Sequence, residues 1–178
     1  LSIAAGGLIN QFYDKEKDKI IKPFRYKLQS FLKQKYFLYF YLILNVLSLG
    51  IAAFLSWRIL LFFIIYQFFI WLYSHKLSKI LVLNNLTFVL LSLYPFFGIL
   101  VYYQHFSMLL FWMALFLFLL MLSIDVNKDI ISKDADQLFQ YKTFPIVFGI
   151  METKKVIVSI LLINAVVSFK IFQMLQPN

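Results

Sequence analysis

Seven of the eight carboxylates in this chain fall into two clusters. Asp14, Glu16 and Asp18 lie in INQFYDKEKDKIIKP, and Asp125, Asp129, Asp134 and Asp136 lie in DVNKDIISKDADQ; Glu152 stands apart. In the first cluster Asn10, Asp14 and Asp18 are spaced i, i+4, i+8. On a helix they share one face, drifting by about 40° per step. In the second, Asp125 to Asp129 is i, i+4 and Asp129 to Asp136 is i, i+7, again one helical face. Three oxygen-bearing side chains on one face form half of a site for a hard cation. Magnesium prefers octahedral oxygen ligands and takes one or two carboxylates together with substrate phosphates. Two such helix ends facing each other would hold Mg²⁺ ions between them, and a diphosphate would bridge the metals. The plainer reading is that these acids are solvated and balance nearby lysines, because i,i+4 charge pairs are common on exposed helices. Spacing alone leaves both readings open.

The elements that must position these acids are predicted to be membrane helices. Soluble domains are roughly 45–50% apolar and about 25% charged. This chain is 62% apolar and 14% charged, with 22 Phe and 11 Tyr. A water-soluble fold of 178 residues has no interior for that much apolar surface, and the bilayer is its natural solvent. Five runs approach the length of a spanning helix: roughly 37–57, 59–72 (borrowing a turn at each end), 85–103 with Pro95 and Gly98 as kink points, 107–124 and 156–175. Residues 1–13 read as the last turns of an incomplete span. The prediction is an all-α, multi-pass transmembrane bundle, about five full spans plus a partial N-terminal one, forming a single but incomplete domain over 1–178. The opening at Leu1 inside an apolar stretch predicts a further helix upstream.

The charges orient these spans. Residues 15–35 hold eight Lys or Arg, Lys76 and Lys79 follow the second run, and Lys128, Lys133, Lys142, Lys154 and Lys155 follow the fourth. If every run spans, these segments share one side, which the positive-inside rule makes cytoplasmic. In a bacterium that membrane would be the inner one. All eight acids lie on that same side, although Asp and Glu contribute little to orientation. The net charge of +9 therefore marks cytoplasmic loops and lipid headgroups rather than a nucleic-acid partner. The chain has no cysteine, which excludes disulfides, thiolate metal sites and a cysteine nucleophile.

The acid-rich segments resemble the UbiA superfamily of intramembrane prenyltransferases. AAGGLINQFYDKEKDKIIKP is similar to that family's first aspartate-rich motif, N-D-x-x-D-x-x-x-D followed by Lys-Pro or Arg-Pro. Asn10, Asp14, Asp18, Lys22 and Pro23 match, and Gln11 stands where Asp is usual. LYSHKLSK resembles the family's Y-S-x-x-L-K element through Tyr73, Ser74 and Leu77, with His75 where proline is usual. LVLNNLTFVLL resembles the next helix start, Asn85 matching and Asn84 replacing a glycine. KDIISKDADQLFQYKTFPIVFG resembles K-D-I-E-D-V-E-G-D followed by K-T-L-P-I-x-x-G. Anchored on Lys142, Thr143, Pro145 and Gly149, it puts Asp129 and Asp136 on the first and last motif aspartates. Ser132 falls on the middle one and Asp134 on a glutamate; Asp125 and Asp134 are the candidates to supply the missing carboxylate.

The resemblance implies transfer of a prenyl group from an isoprenyl diphosphate to a lipophilic acceptor inside the membrane, with Mg²⁺ as cofactor. It assigns Asn10, Asp14, Asp18, Asp129 and Asp136 to the metal shell, with Asp14 and Asp129 central to catalysis. Lys22, Arg25, Lys76, Lys128 and Lys142 become candidates for diphosphate contact, where a cation neutralises phosphate oxygens. Tyr73 is placed near the reacting carbon. The K-D-I-x-x-x-x-x-D form resembles the branch that makes archaeal-type ether lipid precursors and also quinone-pathway members, so the acceptor is a glycerol-phosphate-type lipid or an aromatic quinone precursor. Known members have nine helices; this chain carries the tail of the second and helices three to seven. For each lysine the alternative is a topology marker at the headgroups.

Two competing readings stand beside this one. A small transporter component would carry ionisable groups inside its spans, and here the span interiors hold almost none. An inactive homologue with a binding or assembly role would fit Gln11 and Ser132. His75 and His105 have no metal-ligand partner at useful spacing and read as interface or structural residues, and Trp57 and Trp71 read as interfacial anchors.

Overall fold

The structure is a computed structural model that describes residues 1–29, 31, 33–104 and 106–176; for Arg25, Gln29 and Val101 it describes the backbone alone. Every regular element among these residues is helical. Five helices are long and apolar enough to cross a bilayer: α4 (Gln34–Leu55), α5 (Trp57–His75), α6 (Leu83–Tyr103), α7 (Met108–Leu138) and α9 (Ile150–Leu175). They match the five predicted runs; α7 runs well past the end of its run, α9 begins well before its run, and α4 stops slightly short. Pro95 lies inside α6, which continues through it. Shorter helices are α1 (Ser2–Tyr13), α2 (Lys15–Ile21), α3 (Pro23–Gln29) and α8 (Phe144–Val147). The chain divides into two compact units, 1–78 and 79–178.

In the first unit α1, α4 and α5 pack mutually. Lipid offers no hydrophobic drive between helices, so close packing and interhelical hydrogen bonds must hold them. Both are present. Ala5 and Ala52 are fully buried, and a Cβ on Gly6 would stand 3.1 Å from Ile70 Cγ2, so α1 approaches α5 closely enough that a larger residue there would have to displace the Ile70 side chain. The hydroxyls of Ser2 and Ser48 are hydrogen-bonded at 2.7 Å, and Gln67 Nε2 donates to Ser2 Oγ at 3.3 Å. That cluster ties α1, α4 and α5 together in buried surroundings. The outward faces are apolar, as at Val46, Phe54 and Phe68. Ser56 ends α4 and caps α5, its Oγ accepting from the Ile59 N–H at 3.2 Å.

In the second unit α7 packs against α6, α8 and α9. Val89, Leu93, Ala114, Val126, Ala135 and Val167 form its buried apolar core. Ser107 caps α7 by accepting from the Leu110 N–H. Gly149, at φ +84°, separates α8 from α9. That left-handed backbone suits glycine, which lacks the Cβ that opposes it.

Candidate functional site

Helix α7 builds the better-defined cluster. It runs for 31 residues, so the apolar run predicted over 107–124 and the acid-rich sequence after it are one rigid element. Asp125, Asp129, Ser132 and Asp136 follow at i, i+4, i+7 and i+11, within one face of a 3.6-residue helix. All four are buried: Asp125 is 2% exposed, Asp129 5% and Asp136 0%. Lys128 and Asp134, which alternate with them in sequence, are exposed. Carboxylates this dry are costly unless donors or cations compensate them.

A neighbouring helix supplies the donor. Asn85, 1% exposed, lies in the first turn of α6 and its Nδ2 donates to Asp125 Oδ2 and to Asp129 Oδ2, both at 2.9 Å. One amide nitrogen thus joins two acids from successive turns of α7. Asn85 Oδ1 is buried and accepts no hydrogen bond from the described residues. The turn before α6 is unusual. Val82 has φ 67° and ψ −47°, and the Leu83 N–H donates to the Leu81 carbonyl at 2.8 Å. This is a γ-turn of the rare, strained kind, centred on a β-branched residue three positions before Asn85. At the other end of the cluster Ser132 Oγ donates to Asp136 Oδ2 at 2.7 Å. Lys128 Nζ lies 3.4 Å from Asp125 Oδ1 and 5.0 Å from the centre of the Phe88 ring.

The chain then doubles back. Gln140 adopts φ 58°, and the Tyr141 N–H donates to the Asp136 carbonyl at 2.8 Å, capping α7. The Lys142 N–H donates to the Lys79 carbonyl at 3.1 Å, and Lys79 Nζ stands 5.5 Å from the centre of the Tyr141 ring. The Lys142 side chain is exposed.

The first acid motif, in the other unit, has a different build. α1 ends at Tyr13 and α2 begins at Lys15, with Asp14 between them at φ −93°, ψ 11°. The uninterrupted helix implied by the spacing of Asn10, Asp14 and Asp18 is therefore broken at its middle member. On either side of the break the i→i−4 bonding is regular: the N–H groups of Asp14, Asp18 and Lys22 donate to the carbonyls of Asn10, Asp14 and Asp18, each at 2.8 Å. Asn10, Asp14 and Asp18 are half-buried. Lys22 Nζ donates to Asp18 Oδ1 at 3.0 Å, so a candidate diphosphate cation is paired with a candidate metal ligand. Tyr73 is half-buried and Ser74 buried in the last turn of α5, and Lys76 follows them, exposed. His75 stacks on Trp71, ring centroids 5.4 Å apart at 4°, and meets Tyr13 edge-on at 5.4 Å. The Arg25 side chain and His105 lie outside the described residues.

The donors on the buried α7 face are all oxygens, which suits a hard cation and excludes a thiolate or imidazole site. Among the described residues no three Asp, Glu or His side chains converge tightly enough to hold one ion by themselves. That is compatible with magnesium, which binds through one or two carboxylates and completes its shell with water and substrate phosphate. The buried, unbonded Asn85 Oδ1 supports the fit, since it is a further hard oxygen attached to the amide that joins Asp125 and Asp129. Asn85 had a signal in the sequence: a polar side chain entering an apolar helix has a functional or pairing role by default.

Comparison with known proteins agrees with this architecture. The model of the UbiA prenyltransferase family matches residues 1–177. The digeranylgeranylglyceryl phosphate synthase of Pyrococcus abyssi is 30% identical over 150 residues, covering 84% of this chain and 53% of that protein. The enzyme of the same name from Methanosphaera stadtmanae is 28% identical over 168 residues, covering 93% of this chain and 60% of that protein. A solved structure from work on digeranylgeranylglyceryl phosphate synthase in membranes superimposes with a TM-score of 0.66 at 23% identity, over 97% of this chain and 61% of that one. The chain spans about half the length of the Pyrococcus abyssi protein.

Proposed function

The chain belongs to the UbiA prenyltransferase family, and we propose that it acts in a Mg²⁺-dependent enzyme that prenylates a glycerol-phosphate-type lipid. In that reaction the allylic C–O bond of an isoprenyl diphosphate breaks, diphosphate leaves, and an acceptor hydroxyl oxygen bonds to the freed carbon and loses its proton. The observation that carries the reading is the buried carboxylate face of α7, Asp125, Asp129 and Asp136, where the apolar part of a membrane helix ends. Such a face has little use in lipid unless it meets a cation. The names of the relatives favour the glycerol-phosphate acceptor and a geranylgeranyl donor.

Each residue then has a task. Asp129 and Asp136 would bind magnesium on α7, and Asn10, Asp14 and Asp18 would bind it in the first motif. Bound there, the metal neutralises the diphosphate and stabilises it as a leaving group. Lys22, Arg25, Lys76, Lys128 and Lys142 add positive charge for the phosphate oxygens. Tyr73 presents an aromatic face to the carbon that becomes cationic, and the surrounding apolar side chains limit quenching by water. The lysine distribution supports a cytoplasmic location for both motifs.

The test is prenyl transfer by the protein in membranes, with labelled geranylgeranyl diphosphate and both a glycerol-phosphate-type acceptor and an aromatic acid. Lipid product that disappears with EDTA, returns with Mg²⁺ and is lost in Asp129→Ala is the expected outcome. Product from the aromatic acid alone moves the chain to the quinone branch. No turnover, with diphosphate binding retained, makes it an inactive homologue.

A further inference from the structure

We propose that in this chain Asp125 supplies the carboxylate that Ser132 lacks, and that Asn85 is the positioning residue that pairs it with Asp129. The inference rests on the metal-binding reading above and concerns which side chains make it work here. Ser132 stands in the middle of the acid motif and brings no charge; its hydroxyl is spent on Asp136 Oδ2 at 2.7 Å. Two nearby acids have the charge to compensate, and burial separates them. Asp134 is exposed, turned away from the buried face by its place on the helix. Asp125 is 2% exposed and lies one turn before Asp129 on the same face.

The link between them is Asn85. Its Nδ2 holds one oxygen of each carboxylate at 2.9 Å. Both bonds go to Oδ2, leaving Oδ1 of each acid outside the clamp; that of Asp125 lies 3.4 Å from Lys128 Nζ. Carboxylates that bind metal are themselves fixed by such outer hydrogen bonds, and removing them typically weakens metal binding about 10–100-fold. The amide does a second thing. It brings donor hydrogens between two neighbouring buried carboxylates, which offsets part of the cost of keeping their oxygens out of water. Asn85 Oδ1, buried and without a hydrogen-bond donor among the described residues, is an additional neutral oxygen on the same side chain. The missing carboxylate is thereby supplied about two helical turns nearer the apolar end of α7, at Asp125 instead of Ser132.

The experiment measures Mn²⁺ affinity by electron paramagnetic resonance on the protein in lipid nanodiscs, without substrate. Asp125→Asn should weaken binding about 10–100-fold, while Asp134→Asn should leave it unchanged. Ser132→Asp placed on Asp125→Asn should restore most of the affinity. Asn85→Ser, which leaves every carboxylate in place, should weaken binding and raise the Mg²⁺ requirement of turnover more than the KM for prenyl diphosphate. It also serves if Asp125→Asn fails to give a helical, monodisperse protein. Wild-type affinity in folded Asp125→Asn or Asn85→Ser, or a loss carried by Asp134→Asn, overturns the proposal. If Asp129→Ala also binds Mn²⁺ normally, the metal reading itself fails; if Asp129→Ala alone loses Mn²⁺, that reading stands and this one falls.

Discussion

The two acid motifs have similar spacing on unlike supports. Asn10, Asp14 and Asp18 straddle a helix break and are half-buried, and Asp18 pairs with a partly exposed lysine. Asp125, Asp129 and Asp136 ride one unbroken helix, are nearly dry, and take hydrogen bonds from neutral side chains, with Lys128 beside Asp125. A half-solvated carboxylate is stable alone and gains modestly from a cation. A desolvated set already carries the cost of burial, and the attraction of a cation is stronger where the dielectric is low. The α7 cluster is thus the prepared set of proposed ligands and the Asp14 cluster the adaptable set.

The largest test of that difference is turnover. Asp14→Asn and Asp129→Asn should each reduce prenyl transfer by about 10²–10³, the scale of losing a main electrostatic contact to a leaving group. Raising Mg²⁺ should recover part of the Asp14→Asn loss and little of the other; equal recovery would break the contrast. Next is stability. Asn85→Leu should cost about 2–3 kcal/mol, because it strands two buried carboxylates without their shared donor, whereas Gln11→Leu in the first motif should change little. Denaturation in mixed micelles reads both. Val82→Gly should stabilise the protein by about 1 kcal/mol by relieving the strained turn, and slow transfer if that strain sets where Asn85 lands. The smallest stability effect belongs to Lys22→Ala: about 0.3–0.5 kcal/mol at most for a solvent-screened i,i+4 pair, with a raised KM for prenyl diphosphate.

Much of this was legible in the residues. The five apolar runs name the five long helices, and periods of four and seven put Asp125, Asp129 and Asp136 on one face. The ends were harder. Helix α7 continues to Leu138 because ISKDADQL holds no glycine or proline to stop it, although its hydropathy falls; a reading by apolarity stops at Ile124. The break at Asp14 had no local signal, since YDKEKDK contains neither residue. The Asn85 bridge joins positions 40 and 44 residues apart, and no periodicity along one helix reports a partner on another. Ser132 was visible as a departure, but only burial distinguishes Asp125 from Asp134 as its substitute.

The bond from the Lys142 N–H to the Lys79 carbonyl governs how the basic residues must be dissected. It belongs to the main chain, so an alanine scan leaves it in place. Replacing Lys142 by alanine therefore deletes a charge without untying the return loop, and whatever is lost reports on the proposed phosphate contact. A proline there abolishes the N–H along with the cation, so the difference between the two variants isolates the main-chain bond. The pair of substitutions turns one position into two separate experiments, one on anion capture and one on loop anchorage.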